Sequence, residues 1–255
     1  VNGEILKWLA QVTPVALRVG GILTFSPFLG DRAIPSRIKA GLLIVITGLL
    51  FPLVVRRPAT LAPVDWVQMV LGELLVGLLI GLSLQVVFEA MQFAGQISGI
   101  QLGLSLATLF DPQSEAESTA LPVFFNLITL LLFLQLNVHH WVLRGLARSF
   151  DYLPVGSAVV TQLLSRDLVQ VVGALFVLGI QIAAPVLLAT LMIDIVISFL
   201  SKASPQLPAL LMGIPVKSLT GYALLIGAVA LWPGILERRF AMAIGAAERM
   251  LQLAR

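Results

Sequence analysis

Long apolar runs dominate this chain, and the polar positions inside and between them mark out its elements. The first run, Ile5 to Phe25, is broken by Pro14 and carries Arg18 within it. A polar turn from Gly30 to Lys39 leads to a second run, Ala40 to Val55, interrupted by Gly48 and Pro52. That run falls short of the about 20 residues a helix needs to cross a bilayer. Arg56, Arg57 and Pro58 punctuate the next turn, and Asp65 stands at a helix start before Trp66. From Trp66 the apolar pattern passes Phe88 and continues from Phe93 to Phe110, taking in Glu73, Glu89, Gly72, Gly77 and Gly81. One bent helix or two helices satisfy it equally.

Pro122 to Val142 is the cleanest span by composition, and it ends in His139, His140 and Trp141. A polar connection with Pro154 and Gly156 as breakers separates it from Leu168 to Leu200, which is kinkable at Pro185 and holds Asp194 near its end. Pro205, Pro208 and Pro215 predict irregular backbone over Ser201 to Lys217. A short apolar segment follows, Ser218 to Leu231. Last comes an amphipathic helix, Ile235 to Arg255, with Leu236, Phe240, Ala243, Ala247, Met250 and Ala254 on one face, read as peripheral. The pattern predicts an all-α, membrane-associated protein of broken and kinked helices.

Composition sharpens the class. Hydrophobic residues make up 58% of the 255 and charged residues 11%, against about 45–50% and about 25% in soluble domains. The mean hydropathy is +1.01. The chain has room for one helical unit and none for a second soluble domain. Sixteen basic and thirteen acidic residues leave a charge of +3 with the basic ones scattered, which argues against nucleic acid. No cysteine is present, which excludes disulfides, thiolate metal sites and thiol catalysis. The N-terminal residues lack the pattern of a secretory signal and are expected to be retained. Basic residues occupy successive connections, Arg32, Arg37 and Lys39, then Arg56 and Arg57, then Arg144, Arg148 and Arg166, then Lys202 and Lys217, so the positive-inside rule orients nothing. Such helices are expected to be covered mainly by protein, other subunits included.

One stretch departs from an ordinary membrane helix. Between Phe88 and Pro122, Gly95, Gly99, Gly103 and Ala107 recur every fourth residue, forming a ridge that another backbone can approach, and Asp111 continues the spacing. Gln85, Glu89, Gln92 and Gln96 run beside it as a polar face that lipid would leave unpaired. Phe88 to Leu109 is thus expected as a packing and pore-lining helix. It stops at Asp111 and Pro112, and an acidic, serine-containing loop follows.

The candidate chemistry is sparse. Arg18, Glu73, Glu89 and Asp194 lie within apolar runs and are expected to be buried, either as a proton or ion relay or as ion pairs that fix helix register. Arg18, costly in lipid by about 2.5–3.5 kcal/mol, calls for a carboxylate partner in this chain or a neighbour's. His139 and His140 are adjacent and project about 100° apart on a helix, so they do not converge on a metal. No phosphate loop, HExxH pair or GxSxG elbow occurs. No catalytic residue, cofactor or metal is expected, and the chain is read as non-enzymatic.

Three separated stretches, SPFLGDRAIPSRIKAGL (Ser26 to Leu42), GQISGIQLGLSLATLFDP (Gly95 to Pro112) and ASPQLPALLMGIPVK (Ala203 to Lys217), carry a likeness that runs nearly end to end. Through them the chain resembles the FliR family of flagellar type III export-gate proteins. The resemblance implies a FliP-like helical part, residues 1–200, followed by a FliQ-like helical hairpin, residues 201–255. It implies partners FliP, FliQ and FlhB in a hetero-oligomer of the inner-membrane basal body, assembled largely above the bilayer plane. The gate would pass unfolded flagellar proteins. Carried over from the family, the closing plug is Phe110, Asp111, Pro112, Gln113, Ser114, Glu115, Ala116, Glu117, Ser118, Thr119, Ala120 and Leu121. Two rivals stay open: a small transporter or channel working alone through Glu73, Glu89 and Asp194, and the related gate subunit of a virulence secretion system.

Overall fold

The computed structural model describes residues 2–27, 30, 34–54, 65–104, 120–157, 167–204 and 209–253. Among them every regular element is an α-helix: α1 (Asn2–Phe25), α2 (Ser36–Val54), α3 (Asp65–Gln101), α4 (Ala120–Gln135), α5 (Val138–Tyr152), α6 (Asp167–Ala203), α7 (Ala209–Val229) and α8 (Trp232–Leu253). The all-α expectation holds. Two described helices, Trp66–Gln101 and Val172–Ala203, are long and apolar enough to cross a membrane, and two bent helix pairs reach that standard only when taken together.

The apolar run from Trp66 folds as one 37-residue helix, α3. Prolines do less damage than their number predicts. Pro14, Pro52, Pro185 and Pro215 all lie inside helices, as membrane-type helices packed among neighbours tolerate. The irregular backbone expected up to Lys217 is therefore corrected: helix α7 already begins at Ala209, while Pro205 and Pro208 lie outside the described residues. The expected single span Pro122 to Val142 is also corrected. It breaks between α4 and α5, where Asn137 adopts φ 54 in the left-handed region. Asparagine enters that conformation more readily than other non-glycine residues.

Packing divides the chain into two compact units. The first comprises Val1–Val86, Asn137–Val172 and Arg239–Arg255. Its core takes Val15, Val19 and Ile22 from α1, Val76, Leu79 and Leu84 from α3, Val142, Leu146 and Phe150 from α5, and Met250 and Leu251 from α8. Helices α1 and α3 cross at glycines. A methyl on Gly21 would lie 2.8 Å from the Leu74 carbonyl oxygen and 3.0 Å from the Gly77 Cα, and one on Gly77 would overlap the Arg18 carbonyl.

The second unit comprises Val87–Leu136 and Gly173–Arg238. Aromatic rings organise it: Phe88 meets Phe133 edge-on at 5.8 Å, Phe93 meets Phe176 at 5.5 Å, and Phe125 lies 4.7 Å from Trp232. Trp232, Phe125 and Phe88 are all buried. Helix α8 contributes to both units, Leu236 to the second and the rest of its expected apolar face to the first; Leu236, Phe240, Ala247 and Met250 are buried, Ala243 is half-buried, and Ala254 lies outside the described residues.

Candidate functional site

Two arrangements concentrate the polar chemistry of the described residues, one in each unit. In the first unit, α1 delivers Arg18 and α3 delivers Glu73 to a place where both side chains are 0% exposed. Arg18 Nε donates to Glu73 Oε2 at 2.6 Å, Nη1 to Ser149 Oγ at 3.1 Å and Nη2 to the Leu153 carbonyl at 3.0 Å. The guanidinium also lies 4.1 Å above the Phe150 ring. The second carboxylate oxygen of Glu73 accepts the Gly156 N–H at 3.0 Å, and the Ser149 hydroxyl donates to the Leu146 carbonyl at 2.7 Å. The glycine crossing described above admits α1 close enough for this to form.

The arginine thus finds its carboxylate within the chain. Both Glu73 oxygens are engaged and all three guanidinium nitrogens donate, which is the geometry of a fixed ion pair. Removing either partner of such a pair leaves an uncompensated buried charge, at a cost of about 3–5 kcal/mol.

The remaining charges differ. Asp194 was expected to be buried, but its side chain is 50% exposed and pairs with Lys217 of α7, itself 20% exposed. The physical reason is the poor cover of α6, whose face around Leu191, Ile195 and Phe199 is exposed. Glu89 is half-buried on α3. Along the polar face Gln85, Glu89 and Gln92 are half-buried and Gln96 is exposed, so the face opens outward toward the helix end.

In the second unit, α3 meets the start of α4. A methyl on Gly95 would fall 2.8 Å from the Pro122 Cα and 3.1 Å from the Leu121 carbonyl oxygen. A methyl on Gly99 would lie 3.9 Å from the Leu121 Cβ. The ridge ends there. Gly103 was expected to extend it, but α3 stops at Gln101 and Gly103 takes φ 80. The Leu104 N–H bonds the Gly99 carbonyl at 3.0 Å and the Gly103 N–H bonds the Ile100 carbonyl at 3.1 Å. This pair of bonds is the Schellman cap, which uses a left-handed glycine to satisfy the last carbonyls. The helix expected to run to Leu109 is shortened accordingly.

Ala107 and the expected plug residues Phe110 to Thr119 lie outside the described residues. Ala120 and Leu121, expected at the end of that loop, instead open helix α4, with Leu121 buried. Pro122 explains this start, because a proline in the first turn removes only an N–H that has no helical acceptor.

Sequence reasoning missed what secures the α3 terminus. Leu102, almost wholly buried, packs so closely on Gly221 of α7 that a methyl there would overlap its side chain. The Leu102 carbonyl accepts the Ser218 hydroxyl at 2.9 Å. The one available signal was a glycine inside the apolar run of α7. His139 and His140 stack as tilted rings with centroids 4.2 Å apart.

Comparison with known proteins places the chain. Residues 9–243 match the model of the family described as Bacterial export proteins, family 1. The chain is 30% identical over 237 residues to the Flagellar biosynthetic protein FliR of Pectobacterium carotovorum subsp. carotovorum, covering 93% of this chain and 91% of that protein. It is 30% identical over 240 residues to the protein of the same name from Escherichia coli (strain K12), covering 92% and 90%. To that of Bacillus subtilis (strain 168) it is 26% identical over 242 residues, covering 94% and 93%. With a family match over nearly its whole length and these FliR relatives aligned almost end to end, the chain belongs to the bacterial export proteins, family 1, as one of its flagellar FliR members.

Proposed function

We propose that this FliR-family chain, a subunit of the flagellar type III export gate, helps both to build and to close the channel for unfolded flagellar proteins, and does so without chemistry of its own. Its partners are FliP, FliQ and FlhB in the inner-membrane basal body. Residues 1–200 supply the FliP-like part, and α7 and α8 are the helices of the FliQ-like part, residues 201–255. The flagellar names of the relatives favour this branch over a virulence system.

The observation that carries the closure reading is the double anchorage of residues 105–119. The chain leaves α3 through a capped, fully buttressed terminus at Leu102 and Gly103, and it returns into α4 where Pro122 is seated on Gly95. Both anchors belong to one compact unit. A segment fixed at both ends suits a plug that occupies a channel and is displaced without leaving it. Gln92 and Gln96, at the end of the polar face, suit a wet lining beside it. The fixed Arg18–Glu73 pair supports a structural role for those charges over a proton path.

Deletion of Gln113 to Thr119 tests the plug while leaving Ala120 and Leu121 in their helix. Cells carrying the deletion together with the other gate subunits should become permeable to ions and small molecules. Permeability equal to that of the intact gate would sink the closure role.

A further inference from the structure

Helix α7 begins just after two prolines and carries, at successive positions, two side chains that reach different neighbours. Lys217 pairs with Asp194 on α6. Ser218 donates to the Leu102 carbonyl at the end of α3. One turn further, Gly221 receives the buried Leu102 side chain against its bare Cα. Both contacts with α3 fall on the single residue that precedes the left-handed Gly103.

That residue sits where a helix is weakest. Carbonyls in the last turn have lost their intrahelical donors. The Schellman bonds satisfy those of Gly99 and Ile100, and Ser218 satisfies that of Leu102. Side chain and carbonyl of Leu102 are thus held by the same helix, at positions three residues apart on one face of α7. A slide of α7 along its axis would break the hydroxyl bond and unseat the leucine together, while a rotation would also pull Lys217 from Asp194.

We propose that Ser218 and Gly221 form a latch on the end of α3, acting as positioning residues that fix where α3 stops and in which direction the chain leaves it. The position of α7 is thereby transmitted to the departure point of residues 105–119. The latch rests on the closure reading above only for its consequence; the positioning itself stands on the described contacts.

The assembled complex, purified after co-expression with FliP, FliQ and FlhB, provides the test. Amide hydrogen exchange at Leu102, Gly103 and Leu104 should quicken roughly two- to tenfold in Ser218→Ala, the range expected for loss of one hydrogen bond. Ser218→Thr, which keeps the hydroxyl, should restore the original rate, and exchange in the middle of α3 should not change. Unchanged exchange in Ser218→Ala, or an increase spread along all of α3, would overturn the latch. Permeability read on the same variants separates the two ideas. Leakage in Ser218→Ala below that of the Gln113 to Thr119 deletion supports the transmission of α7 position to closure. A leaking deletion beside a tight Ser218→Ala overturns that transmission. A tight deletion removes the closure reading while faster local exchange still upholds the positioning role.

Discussion

Helices α3 and α6 have the same length, 37 residues each, and both pass as membrane spans, yet 61% of the apolar window of α3 is buried within the chain and only 22% of that of α6. The difference lies in the small and polar residues. Gly77 and Gly95 let other backbones reach α3, and Glu73 gives it a charged partner to hold. On α6, Gly179 admits Ala90 and Phe93, but Gly173 faces open space and the long run from Leu188 to Leu200 presents bulky aliphatic and aromatic side chains outward. Hydropathy reports the cost of exposure to water and is silent on what provides the cover. Here α3 is covered in large part by its own chain, and α6 is left largely exposed by it.

The comparison breaks most sharply at Glu73. Glu73→Ala leaves Arg18 charged and enclosed, and should cost about 3–5 kcal/mol, seen as loss of the folded chain or a fall in thermal midpoint of the purified complex. An unchanged midpoint would show that α3 is not held from within. Gly95→Leu should come next. Overpacking against Pro122 costs about 1–3 kcal/mol, and less of the complex should be recovered on co-purification with FliP and FliQ. Smallest in its effect on the chain itself is Phe199→Ser on α6, expected within about 0.5 kcal/mol because the side chain is exposed. Recovery with partner subunits should nevertheless fall. Full recovery would mean that protein neighbours do not cover that face.

The helical runs were legible in the sequence because apolar length is a strong signal. So was the demand of Arg18 for a carboxylate. Which carboxylate was not, since Glu73, Glu89 and Asp194 all sit in similar apolar surroundings. The choice is made by residues distant in sequence, Ser149, Leu153 and Gly156, that complete the shell around the pair. The glycine spacing was equally ambiguous. Gly95, Gly99 and Gly103 look alike at intervals of four, but the first two face α4 and the third ends the helix. Periodicity does not register an end. Asn137 was passed over for the same reason, as one polar residue within an apolar run. The Ser218 contact spans 116 residues and carries no local pattern at all.

The length of α3 has a consequence of its own. At 37 residues and about 1.5 Å per residue it extends about 55 Å, against a hydrocarbon layer of about 30 Å. Even standing upright in a bilayer, roughly 25 Å of it would project beyond the lipid tails. The helix is a ruler laid against the membrane, and it overshoots: a large share of its greasy surface must be dissolved in protein, so the medium that solvates this molecule is in good part its own kind.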